Sequence, residues 1–178
     1  MTSPFSPAPT HAVRLAWRAL GLLTLGNWLY GGFVAAMGIA LLVAPDATMS
    51  RIGVRDDVDR TRIRLAMYAV VVIGLAGAAL VHRLLKTLRA IVATVGEGDP
   101  FVPGNATRLE TIGRQLLALE LLHLAVGLAT ALGSSAEQPF DLDWSFSLTP
   151  WLTILLVFVL ARVFREGTRM RHDLAGVV

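Results

Sequence analysis

The sequence predicts an all-α integral membrane protein: a four-helix transmembrane bundle with cytoplasmic N- and C-termini and amphipathic juxtamembrane extensions after helices two and four. Three observations predict it. Charged residues are 16% of the 178-residue chain, against about 25% in soluble domains. Those charges leave long gaps: 27 residues between Arg18 and Asp46, 18 between Arg64 and Arg83, and 18 between Asp143 and Arg162. A fourth apolar run, residues 115–136, is interrupted only by Glu120 and His123. At 1.5 Å per residue, about 20 residues cross a hydrocarbon core of roughly 30 Å. Lastly, stretches such as residues 154–160 are apolar throughout, whereas a membrane barrel needs alternation over about ten residues. A soluble bundle would need polar helices to cover these runs, and the chain has none to spare.

Residues 1–12 are expected to be a disordered leader, since the first ten include three prolines and two serines. The single transmembrane domain, 13–174, follows. Its first span, 13–43, is ended by Pro45. It is too long for the core of a signal peptide and lacks a small-residue cleavage site, so it is expected to be retained. The second span, 61–94, starts near Asp59 or Thr61 as cap. Beyond Val81 it continues with Leu84, Leu85, Leu88 and Ile91 three or four apart and Arg83, Lys86 and Arg89 between them. That is the pattern of a helix lying against a surface or a partner. Gly96, Gly98 and Pro100 stop it. Thr107 and Glu110 read as a capping box opening the third span, 107–132. Thr149-Pro150 supplies cap and first-turn proline for the fourth, 149–172, which stays helical into its basic end. Residues 175–178 are a tail. The second and fourth spans each leave the membrane through a basic stretch and meet a Glu-Gly, Glu97-Gly98 and Glu166-Gly167, a faint sign of a parallel repeat.

Orientation follows from Lys and Arg in the short connections. The N-terminal flank, second connection and C-terminal tail carry eleven, and the first connection carries five: Arg51, Arg55, Arg60, Arg62 and Arg64. The third connection has none and holds Glu137, Asp141 and Asp143. This predicts a cytoplasmic N-terminus, second connection and tail, although five arginines are unusual outside. Trp17 at the inner side and Trp144 and Trp151 at the outer side match aromatic belts. The net charge of +3 is thereby a feature of membrane flanks, and no direct nucleic-acid partner is expected.

Two stripes are predicted to face the bundle centre: Thr24, Asn27, Gly31, Ala35 and Gly38 in the first span, and Glu120, His123, Gly127 and Ala131 in the third. Small residues let helices approach, and polar ones find partners there. Glu120 is the candidate of most interest, because an ionisable side chain in hydrocarbon is costly and marks pathways or sites. With His123 one turn on, and Thr24 and Asn27 opposite, it reads as an intramembrane polar site. The preferred reading is a packing residue, neutral or paired with a cation such as Arg18.

Other chemistries find little in the sequence. The chain has no cysteine, and its histidines at 11, 82, 123 and 172 are dispersed, so neither a metal nor a haem is expected. Gly96-Glu97-Gly98 follows a helix and lacks the Gly-Lys-Ser/Thr of a phosphate loop. No serine or threonine has a recognisable base nearby. An enzyme is not the expectation, and no cofactor is implied.

Gly98-Asp99-Pro100-Phe101-Val102-Pro103-Gly104-Asn105-Ala106, with Arg108-Leu109 and Ile112-Gly113, resembles the central motif of a bacterial family, domain of unknown function 2975. Val163-Phe164-Arg165-Glu166-Gly167, with Met170-Arg171 and Asp173-Leu174, resembles its C-terminal signature. The resemblance covers roughly residue 20 to the end; Gly104, where the family usually has glutamate, and Ala175 depart from it. It implies a small four-helix inner-membrane protein, often encoded beside a small helix-turn-helix regulator. Both signatures fall on the predicted cytoplasmic side. The expectation is therefore a regulatory or interaction protein whose docking face includes Asp99, Pro100, Phe101, Arg108, Phe164, Arg165, Glu166 and Gly167. Its partners would be the bilayer and a cytoplasmic protein such as that regulator, with a homo-oligomer left open. The alternative is a binding or transport module for a small solute, a quinone or protons, centred on Glu120 and His123.

Overall fold

The structure is a computed structural model of the 178-residue chain and describes residues 11–55, 59–134 and 147–175, with side chains as far as Met170. Most of the predicted leader, Asp56 and Asp57, and the acidic third connection with Trp144 lie outside the described residues. The described chain is all-α. It comprises α1 (His11–Val43), α2 (Pro45–Arg51), α3 (Arg60–Gly96), α4 (Pro103–Gly133) and α5 (Leu148–Ala175). Four of these, α1, α3, α4 and the Leu148–Met170 part of α5, are long and apolar enough to cross a membrane. No more than 17% of the most apolar 18-residue stretch of any of them is buried within the chain. Leu29, Val72, Leu128 and Leu156, one from each helix, are all exposed. Side chains like these find apolar surroundings only in lipid, and the chain is a multi-pass membrane protein.

Helix ends follow local chemistry, sometimes differently from expectation. Asp59 caps α3 as predicted: its Oδ1 accepts from the backbone N–H groups of Thr61 and Arg62 at 3.1 and 3.2 Å, satisfying two of the donors a helix start leaves orphaned. The helix then runs unbroken to Gly96. The short α2 was not anticipated. Pro45, which ends α1, also suits the first turn of a new helix, where its missing N–H loses nothing. The Thr48 hydroxyl donates back to the Ala40 carbonyl at 3.0 Å, closing the end of α1.

The capping box at Thr107 is a correction. α4 begins four residues sooner, at Pro103, so Thr107 already lies inside the helix and its carbonyl accepts from the Thr111 hydroxyl at 2.9 Å. Proline at the first helical position outweighs the Thr-x-x-Glu pattern, and the Glu110 carboxylate goes to Arg165 on α5 instead. α5 starts at Leu148, one residue before the predicted cap; the Thr149 carbonyl accepts from Thr153 at 2.9 Å, and Pro150 sits within the first turn. The faint repeat also dissolves. Gly98 is a turn residue at φ +86°, whereas Gly167 lies inside α5.

The chain forms two compact units. Of the described residues, the first comprises 11–25, 82–117 and 148–175, hence the start of α1, the end of α3, the start of α4 and all of α5. Leu20, Leu85, Ala106, Ile112, Ile154 and Ala161 are buried in this part of the chain. The second comprises the described residues among 26–81 and 118–134, with residue 147. Its core gathers Leu41, Met49, Val54 and Ile63, with Met37, Met67, Tyr68 and Val71 packed against it. Burial of Met49 and Val54 there, and a Tyr68 hydroxyl bond to the Leu41 carbonyl at 3.1 Å, fasten α2 onto α1 and α3.

Candidate functional site

The connection between α3 and α4 is built by its own sequence. Gly98 takes the left-handed conformation that only glycine adopts without strain. The N–H of Asp99 then reaches the Thr94 carbonyl, and that of Gly98 the Val95 carbonyl, both at 3.1 Å; this pairing closes a helix C-terminus. Asp99 Oδ1 accepts from the Phe101 N–H at 3.2 Å, an Asx turn that redirects the chain. At the centre lies Asn105, which has no exposed surface. Its Nδ2 donates to Thr94 Oγ1 at 2.8 Å and to the Pro100 carbonyl at 2.9 Å, and its Oδ1 accepts from Arg108 Nη1 at 2.8 Å. One amide thus ties the end of α3, the connection and the start of α4.

α5 closes over this connection. Phe101 stacks on Phe164, with ring centroids 5.1 Å apart and planes at 28°. The Thr168 hydroxyl lies 3.2 Å from the Phe101 carbonyl and 2.8 Å from its own-helix acceptor, the Phe164 carbonyl. The Phe101 ring lies over Gly167. Arg165 pairs with Glu110 across α5 and α4. Deeper along the same helices, a Cβ at Gly113 would stand 3.0 Å from the Phe158 ring, so only glycine fits there without displacing the ring.

The two signature motifs therefore meet in space, within the first unit. Of the eight residues expected on the docking face, Asp99, Pro100, Phe101, Arg108, Phe164 and Gly167 are engaged in holding the connection and α5 together. Arg165 is half-exposed beyond its ion pair, and Glu166 is exposed. Exposed Arg162 and Arg169 on α5 extend the same surface. Sequence reasoning missed Asn105, Thr94 and Thr168. The only available signal was that Asn105 belongs to the motif itself.

Of the intramembrane candidates, Thr24 and Asn27 each bond to a residue of α3. Thr24 belongs to the first unit, where its hydroxyl donates to the Leu20 carbonyl at 2.7 Å and accepts from Arg89 Nη2 at 2.9 Å. Arg89 also reaches the Leu20 carbonyl at 3.2 Å, leaving its buried Nε without a hydrogen-bond partner. Counted from sequence as a flanking charge, Arg89 instead ties α3 to α1. Asn27 lies in the second unit and donates to the Ala78 carbonyl at 3.1 Å. Gly31 packs near Ala78 and Gly38 against Val71, so the first predicted stripe faces α3.

Glu120 is buried and makes no hydrogen bond or ion pair among the described residues. His123 and Ala131 are exposed, a correction to the second stripe, while Gly127 and Thr130 are buried. At about 100° per residue, His123 stands about 60° around the helix from Glu120, whereas Gly127 returns to nearly the same meridian. At its own height His123 falls past the covered edge. Among the described residues no group of three or more His, Cys, Asp or Glu is placed to hold a metal ion.

A family model described as a protein of unknown function, DUF2975, matches residues 49–178. The match holds both signature motifs and begins after α1, later than the sequence resemblance had placed it. No curated protein and no solved structure matches the chain.

Proposed function

The chain belongs to the DUF2975 family, and we propose that it acts as a non-enzymatic regulatory or interaction protein of the bacterial cytoplasmic membrane. Its N-terminus, α3–α4 connection and α5 end face the cytoplasm, in keeping with the eleven basic residues of those segments. The docking face is the sealed α3–α4 connection together with the exposed charges of α5, and its partner is a cytoplasmic protein such as a small helix-turn-helix regulator. The observation that carries this reading is the stacking of Phe101 on Phe164. It joins two distant motifs into one fixed surface, and a preordered surface spares a partner the entropy of organising it.

Affinity purification of the tagged full chain in mild detergent tests the reading. A cytoplasmic protein should travel with the wild type and be lost on reversal of Arg162, Glu166 and Arg169. The paired exchange Glu110→Arg with Arg165→Glu keeps the ion pair while moving its charges, and should weaken capture without unfolding the chain. Undiminished capture by all these variants overturns the docking face.

Glu120, buried and without a partner among the described residues, favours a second reading: a small-solute, quinone or proton-coupled binding or transport site, with His123 at its edge. That reading expects pH-dependent binding or flux in reconstituted vesicles that disappears in Glu120→Gln. Full activity in both Glu120→Gln and Glu120→Leu disposes of it.

A further inference from the structure

Within the second unit, the first four turns of α3 and the end of α4 line a groove of about 450 Å³. Arg62 stands at one end and Ile73 at the other, with Ala66, Ala69, Ala125 and Ala129 keeping the space between them open. The remaining lining side chains are also apolar or glycine. From Arg62 to Ile73 is eleven residues, or about 16 Å of helix, close to half of a hydrocarbon core of roughly 30 Å. The groove is thus as deep as one leaflet.

Its mouth is charged and preset. Arg62 Nε donates to the Leu132 carbonyl in the last turn of α4, satisfying an acceptor that a helix end leaves orphaned and fixing the guanidinium. Its Nη groups make no hydrogen bond or ion pair among the described residues, and the side chain is exposed. Arg60, two residues earlier, is by contrast held by Ser50, the Arg55 carbonyl and Asp46. A guanidinium presents planar, paired donors that match phosphate oxygens. A fixed cation at the interface above an apolar slot one leaflet deep complements one class of molecule in both charge and length.

We propose that this groove holds one anionic phospholipid, its phosphate on Arg62 and one acyl chain along α3 and α4 toward Ile73. The proposal is independent of the docking reading, which concerns the other unit. It also gives a role to Arg62, one of the five arginines of the first connection that run against the orientation rule.

Native mass spectrometry of the full-length chain in detergent tests it, with phosphatidylglycerol, phosphatidylcholine of the same acyl chains, and inorganic phosphate as probes. One phosphatidylglycerol should be retained over phosphatidylcholine by roughly ten-fold or more, the scale of a charge-assisted hydrogen bond. Arg62→Gln should abolish the preference and Arg62→Lys keep part of it. Ala69→Phe, which fills the groove and leaves Arg62 in place, should reduce retention of the lipid. Arg51→Gln, on exposed α2 surface, should change nothing. Inorganic phosphate should not displace the lipid. Equal retention of the two lipids by the wild type overturns the proposal without any variant. So does undiminished retention in folded Arg62→Gln or Ala69→Phe, or displacement by inorganic phosphate.

Discussion

Asn105 shows how one amide can hold a connection that has little apolar mass of its own. Two donors and one acceptor are satisfied with no exposed surface, so removing the side chain strands the Pro100 carbonyl and the Arg108 guanidinium at once. Asn105→Ala should destabilise the protein by about 1–3 kcal/mol, measured by thermal unfolding in detergent. Gly38 makes a different demand. A Cβ there would come within 2.8 Å of Val71 Cγ1, and a β-branched side chain has few rotamers into which to retreat. Gly38→Ala should destabilise by about 1–3 kcal/mol. Adding Val71→Ala should recover part of that loss, a coupling that a double-mutant cycle reads directly. Had Gly38 served only as a flexible point, the second substitution would add to the damage instead.

At the level of elements, the contacts between α5 and the α3–α4 connection are unequal. The Arg165–Glu110 pair is half-exposed on the arginine side, and exposed ion pairs contribute at most about 1 kcal/mol. The Phe101–Phe164 stack adds apolar burial to about 0.5–1.5 kcal/mol of ring–ring attraction. Phe101→Ala should therefore loosen the connection more than Glu110→Gln, seen as faster amide exchange at residues 97–102. Equal protection in the two variants would shift the weight to the ion pair. The four long helices were legible because gaps between charges are a property of sequence distance alone. Asp59 and Gly96 were legible because caps and stops act within a turn. The start of α4 was not, since Pro103 and Thr107 both satisfy the rules for a helix beginning and only the packed connection chooses between them. The Arg89–Thr24 bond joins residues 65 apart and leaves no local trace. Neither does the placement of His123, because periodicity gives an angle and not the height at which a neighbour stops covering it.

For the whole molecule, the membrane frame and the proposed orientation make one prediction that the composition renders easy to check. With no native cysteine, Glu97→Cys, Ser147→Cys and Met170→Cys each give a single labelling site. An impermeant maleimide should label Ser147→Cys in intact cells and reach the other two only after permeabilisation; the opposite pattern inverts the protein and removes the docking face from the cytoplasm. The Phe101–Phe164 stack has a bearing on biogenesis as well. Translation delivers the α3–α4 connection some sixty residues before the ring that covers it, as the two numbers show. Until the last helix is made and inserted, the Phe101 ring lacks the face it stacks on, and the connection is held by the turn at Gly98 and the bonds of Asn105.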